Sequence, residues 1–273
     1  MRFVFLGDVM GRSGRKAVTR HLPGLREDLV LDAVICNAEN AAGGFGITRS
    51  TADELFDCGV DVLTLGNHSF DNPQGISVIE NEPRLLRPCN YPPGLVPGRG
   101  AGVYQVGDYT IGVINVLGRV FMDALDDPFQ AVERELNNAP LGTAVDAMIV
   151  DIHAEATSDK QVIGRYLDGK VSAALGTHTH VPTADDQIFR DGTAFQCDVG
   201  MTGPYESILG RKIERVTRAT VTFSPTPFQV ATDDCRICGA IIAIDEATGK
   251  ATNIQRLMVN EQDAIDLQNS GVG

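Results

Sequence analysis

Short apolar runs ending on polar residues recur along this chain. Residues 2–7 read Arg-Phe-Val-Phe-Leu-Gly, and Asp8 follows at once. Residues 33–36, Ala-Val-Ile-Cys, end at Asn37-Ala38-Glu39-Asn40, and residues 60–65 end at Gly66-Asn67-His68. Runs of this kind predict strands buried on both faces. Between the first two, residues 16–25 place Ala17, Val18, Leu22 and Leu25 on one side of a helix. A second helix is predicted over 51–58, with Ser50 as its N-cap and Gly59 closing it. This βαβα order predicts parallel pairing with helices on the faces of the sheet.

The second half has a different rhythm. Residues 103–106 and 109–116 flank Gly107-Asp108, and 186–190 and 193–197 flank Asp191-Gly192. Residues 240–244 and 251–258 flank Glu246-Ala247-Thr248-Gly249. All three pairs read as hairpins. Two further buried strands, 147–152 and 171–175, are preceded by helical stretches at 128–138 and 159–167. The pattern predicts mixed sheets packed together with helices outside, in one domain spanning 1–273. The stretch 201–234, rich in Thr, Pro and Arg, is read as a cap or an oligomer contact, since a loop this long in a compact domain is usually functional.

Composition narrows the class. The chain has 273 residues, 43% of them apolar and 22% charged, which suits a globular protein and excludes intrinsic disorder. Asp and Glu number 36 against 23 Lys and Arg, a net charge of -13. Such a field repels long nucleic acid, so duplex nucleic acid is not an expected partner. A small anion at a bound metal stays compatible with it. No apolar run reaches the roughly 18 residues of a membrane span, and the N-terminus lacks a signal-peptide layout, so no membrane association and a cytoplasmic location are expected. In that compartment Cys36, Cys58, Cys89, Cys197, Cys235 and Cys238 are expected as reduced thiols. Cys235 and Cys238 form a lone CxxC without the second pair that a zinc site requires.

The chemistry gathers where strands end, the edge at which open α/β sheets bind ligands. Five such ends deliver Asp8; Glu39 with Asn40; Asn67 with His68; His153; and His178 with His180. Four of the five histidines are among them, and only His21 lies elsewhere, on a helix. With extended backbone at His178-Thr179-His180, both imidazoles would point to one face. Leaving His68 aside, the set is two carboxylates, three imidazoles and two amides. Hard oxygen mixed with imidazole suits manganese, iron or zinc. Seven donors exceed one tetrahedral ion and fit two ions about 3.5–4 Å apart, bridged by a carboxylate.

These residues resemble the calcineurin-like metallophosphoesterases: Gly7-Asp8, Gly66-Asn67-His68 with Asp71, a separate His153, and Gly176-Thr177-His178-Thr179-His180. The chain departs twice from that pattern. Met10 stands where a D-x-H motif has its histidine, and Glu39 replaces a bridging aspartate. Those departures, with residues 7–15 and 151–160, resemble the YmdB-like subfamily. The resemblance implies a four-layer α-β-β-α sandwich, a dinuclear iron or manganese site, bacterial origin, oligomers, and phosphodiesterase activity on 2′,3′-cyclic nucleotides. Carried over by motif, one metal takes Asp8, Glu39, Asn40 and His180, and the other Glu39, Asn67, His153 and His178. A hydroxide bridging the metals attacks phosphorus, and His68 is the general acid. Asp71 either orients His68 or serves a turn. Arg12 and Arg15 either contact substrate or are solvated helix residues.

Other classes fit less well. Gly7, Gly11 and Gly14 make neither a dinucleotide fingerprint nor a P-loop, and no G-x-S-x-G elbow occurs. The alternatives that stand are a broader phosphodiesterase or phosphomonoesterase, and a metal-binding regulatory protein without turnover. A retained His68 favours an enzyme.

Overall fold

Alternation along the strands decides the layers. In β1 (Arg2–Leu6), Phe3 and Phe5 face one side while Val4 and Leu6 face the other. In β2 (Ala33–Asn37), Ala33 and Ile35 join Phe3 and Phe5, whereas Val34 and Cys36 join Val4 and Leu6. The same period of two recurs in β7 (Ala147–His153), where Ala147 and Ile149 separate from Met148, Val150 and Ile152. Three apolar cores result. One lies between two sheets, one between the first sheet and its helices, and one between the second sheet and its helices. The layers are therefore α-β-β-α. This computed structural model describes residues 1–260; of the domain expected over 1–273, the stretch 261–273 lies outside the described residues.

Among the described residues the first sheet has seven strands. β1, β2, β3 (Val62–Thr64) and β4 (Leu85–Leu86) run parallel, with β12 (Cys235–Ile244) antiparallel beside β1. β12 also pairs with β11 (Gly203–Pro204) and β13 (Ala251–Asn260). The second sheet has the order β5-β6-β7-β8-β10-β9. Its strands are β5 (Ala101–Val106), β6 (Tyr109–Leu117), β7, β8 (Ala173–Thr177), β9 (Gln187–Ile188) and β10 (Ala194–Gln196). The three hairpins are present, as β5–β6, β9–β10 and β12–β13.

Helices α1 (Gly11–Asp28), α2 (Arg49–Asp57) and α3 (Ile76–Asn81) belong to the first sheet, and α4 (Pro128–Asn138) and α5 (Thr157–Tyr166) to the second. The cap of α2 is Thr48, not Ser50. Its hydroxyl accepts from Thr51 N at 3.3 Å while Thr51 Oγ1 accepts from Thr48 N at 2.9 Å, a reciprocal pair that Ser50 cannot form from inside the helix. β8 begins later than the expected 171, because the Ser172 hydroxyl is spent on Gly249 O and Met148 N. The stretch 201–234 is not a plain loop. It contributes β11 to the sheet edge and α6 (Ile213–Thr222), which buries no residue and leaves Val221 and Phe223 exposed. Cys235 and Cys238 lie three apart on β12 and face opposite sides, with no disulfide between them. Among the described residues, no helix is long and apolar enough to cross a membrane.

Candidate metal centre

The carboxyl ends of β1, β2, β3, β7 and β8 bring the sequence-selected residues together. Asp8 and Glu39 are essentially inaccessible, and His153 is completely so. His153 Nε2 lies 3.1 Å from Glu39 Oε1, 3.0 Å from Asn67 Oδ1 and 3.1 Å from His178 Nδ1. A second group forms around His180, whose Nε2 is 3.1 Å from Asn40 Oδ1 and 3.8 Å from Asp8 Oδ1. Asp8 Oδ2 accepts from His178 N at 3.1 Å, which ties the two groups together.

The route to this geometry differs from the extended His178-Thr179-His180 expected from sequence. His178 has φ 95° and His180 φ 63°, both left-handed. Thr179 is pulled inward instead: its N–H and hydroxyl donate to Asp198 Oδ2 at 3.0 and 2.6 Å, and buried Lys160 pairs with the same oxygen at 2.8 Å. With Thr179 anchored below, the histidines on either side are turned out toward the cluster.

Each imidazole is also oriented from behind. His153 Nδ1–H donates to Thr177 Oγ1 at 2.8 Å, and that hydroxyl donates to Asp151 at 2.6 Å. Asp151 is held in turn by Thr64 and Asn37 at 2.6 and 3.0 Å. His178 Nε2–H faces Glu155 at 3.0 Å, and His180 Nδ1–H faces Leu209 O at 3.2 Å. Asn40 Nδ2 donates to Gly44 O at 3.2 Å, which aims its oxygen inward. Back-side partners that leave ring lone pairs aimed at a common centre are the usual support of metal-ligating histidines.

Charge and proton placement fit a cation site. One Nε2 cannot donate to Glu39, Asn67 and His178 at once, whereas a cation between them satisfies all. Asp8 Oδ1 is buried with no hydrogen-bond partner, an expensive orphan unless a cation meets it. Ligand atoms of Glu39, His153 and His178 lie within 4.8 Å of one another. Burial pushes the Asp8 carboxyl up to about 6, against the pull of His180 and His153. Burial also opposes ionisation of Glu39, but His153 and His68 prevail and hold it at about 2. Burial would lower His153; Glu39 raises it to about 9. His178, buried beside His153, is pushed down to about 3. Gly66 completes the cradle, since a Cβ there would strike His153 Nε2 and Glu39 Oε2.

His68 stands apart from the donors. Its backbone N–H donates to Glu39 Oε2 at 3.0 Å, while its ring turns outward, with Nδ1 2.6 Å from Asp71 Oδ2 and an edge against Phe45 at 5.1 Å. A cavity of about 260 Å³ opens over Glu39, Asn40, His68, His178 and His180. Leu209 and Arg211 close one side of it. Arg15 does not line this cavity: it binds Glu54 at 2.6 Å and Ala41 O at 2.5 Å. Arg12 lines a separate groove with Lys16 and Thr19. Sequence reasoning missed Glu155, Leu209 and Arg211. Glu155 was visible as the acid two residues past His153, but Arg211 carries no local motif.

A two-sheet α/β sandwich with a buried carboxylate–imidazole–amide cluster at its strand ends is the architecture of a metallophosphoesterase. The profile of YmdB-like proteins matches residues 4–257, and the chain belongs to that family. It is 41% identical over 261 residues to the 2′,3′-cyclic-nucleotide 2′-phosphodiesterase of Bacillus subtilis, covering 96% of this chain and 98% of that one. A protein of Thermus thermophilus has a crystal structure superposing with a TM-score of 0.89 at 42% identity, over 96% of this chain and 100% of the other. A phosphatase of Mycoplasma pneumoniae superposes with a TM-score of 0.88 at 31% identity, over 98% of each chain.

Proposed function

We propose that this protein is a metal-dependent phosphodiesterase that opens 2′,3′-cyclic nucleotides, using two metal ions with iron or manganese preferred over zinc. One observation carries the reading: two adjoining donor groups share a buried acidic centre, with Asp8 Oδ1 unpartnered and three donors converging on His153 Nε2. Asp8, Glu39, Asn40 and His180 would hold one ion and Glu39, Asn67, His153 and His178 the other. Such ions would supply positive charge for phosphoryl oxygens and make hydroxide available near neutral pH. His68 acts as general acid. Asp71 fixes its Nδ1–H, so protonated His68 offers its remaining N–H to the leaving oxygen. A hydroxide oxygen, its other proton given up to solvent, bonds to phosphorus; the bond to the 2′-oxygen breaks, and that oxygen takes the His68 proton. The name of the Bacillus subtilis relative supports the cyclic substrate and the bond broken.

The small cavity and the net charge of -13 favour a substrate that presents one phosphate over duplex nucleic acid. The stretch 201–234 is the cap, since Leu209 and Arg211 reach the cavity, and its helix α6, which buries nothing, is the face for a second copy. A phosphomonoesterase is the second reading, favoured by the likeness to a phosphatase. The test compares initial rates on 2′,3′-cyclic AMP, 3′,5′-cyclic AMP, a simple phosphomonoester and duplex DNA with Mn²⁺ at one salt concentration. The 2′,3′-cyclic nucleotide should be fastest. Duplex DNA as the best substrate would defeat the substrate assignment, and no turnover of any of the four would defeat the enzyme.

A further inference from the structure

Among the described residues, no acid answers the buried cation of Arg211, which is 9% exposed and forms no ion pair. Its backbone is fixed by reciprocal bonds with Ile208, each 2.9 Å, around Leu209 and Gly210, both at positive φ. From there the side chain crosses to the loop that follows Glu39 and Asn40. Arg211 Nη2 donates to Gly44 O at 2.7 Å, and the guanidinium carbon sits 4.2 Å from the centroid of the Phe45 ring. Gly44 has φ +100°, and a Cβ there would collide with the guanidinium, so the loop is shaped around this side chain. Phe45 in turn touches His68 edge-on, and Arg211 and the proposed acid both line the metal cavity.

A guanidinium carries five N–H donors in a rigid fork, and Gly44 O takes one of them. Arg211 lines the same cavity as Glu39, Asn40, His178 and His180. Burying a cation without a counter-charge is costly, and the fork matches the oxygens of a phosphoryl group. We infer that Arg211 binds the phosphoryl group of the substrate, a catalytic contact supplied by the stretch 201–234. This rests on the phosphoesterase reading of the site.

The experiment uses Arg211→Gln, which keeps a donor for Gly44 O but loses the charge, and Arg211→Lys, which keeps the charge but loses the fork. Inorganic phosphate is titrated calorimetrically into each Mn²⁺-loaded protein, and bound metal, kcat and KM are measured in parallel. Losing a hydrogen bond from a charged donor predicts about tenfold to a hundredfold weaker phosphate binding and lower kcat/KM in Arg211→Gln, with metal content unchanged and partial recovery in Arg211→Lys. Phosphate binding equal to wild type in both variants would overturn the inference. So would a loss of metal that accounts for the loss of phosphate, because Arg211 would then only brace the Gly44 loop. The two readings fail separately: a wild type that binds phosphate through Arg211 yet turns over no phosphoester refutes the enzyme alone.

Discussion

Replacing His68 with alanine separates acid catalysis from metal holding. The ring of His68 contacts Asp71 and Phe45 but makes no bond to Glu39, Asn67 or the other imidazoles. Its hydrogen bond to the cluster runs from the backbone N–H to Glu39 Oε2, which alanine retains. The side chain is only 24% exposed, and alanine loses its Asp71 and Phe45 contacts, so stability should fall by about 1–2 kcal/mol with the fold kept. Turnover is another matter. A general acid contributes about 10²–10⁴-fold, which is about 3–5 kcal/mol of barrier. The assay is kcat for His68→Ala on 2′,3′-cyclic AMP and on a bis-aryl phosphate, alongside metal content and thermal unfolding. The cyclic nucleotide loses an alkoxide that needs a proton, and its rate should fall through the full range. The aryl ester leaves as a stabilised anion, and its rate should fall far less. Equal losses on both substrates, or metal lost as readily as in His178→Ala, would refute the acid role.

Other substitutions probe the metal-binding residues. Glu39→Gln should weaken both metal positions, because the proposed ligand sets share Glu39, whereas Asn40→Ala should weaken mainly the ion near His180; titration with elemental analysis distinguishes them. Asp151→Asn leaves every donor in place but weakens the acceptor behind Thr177 and His153, so metal affinity should fall about 10–100-fold with the fold intact by circular dichroism. Metal uptake should release protons. Glu39 raises His153 to about 9, so the metal-free protein carries that proton at pH 7, and affinity should climb as pH rises toward 9; affinity independent of pH between 6 and 9 would contradict the assignment.

Much of the sandwich was legible because it depends on local repetition. The short apolar runs of β1 and β7 and the helical spacing over 128–138 specify their own burial, and α4 spans those last residues. The short α3 and β4 were not legible, since a six-residue helix and a two-residue strand carry too little periodicity. In the site, ligand identity could be read from residue type at strand ends. The turn that aims two of the ligands could not. His178 and His180 converge through left-handed backbone enforced by Asp198 and Lys160, which lie 18 and 20 residues away from His180 in opposite directions and carry no motif. Arg211 was hidden for the same reason: it meets Gly44 only after the chain folds.

The central claim is that two ions share this site, and counting them tests it most directly. Purified protein loaded with Mn²⁺ or Fe²⁺ and freed of excess should be analysed for bound metal per chain alongside activity on a 2′,3′-cyclic nucleotide. Bound metal should approach two equivalents, with activity rising as the second ion binds. Full activity at a single equivalent, with no further ion taken up, would contradict it.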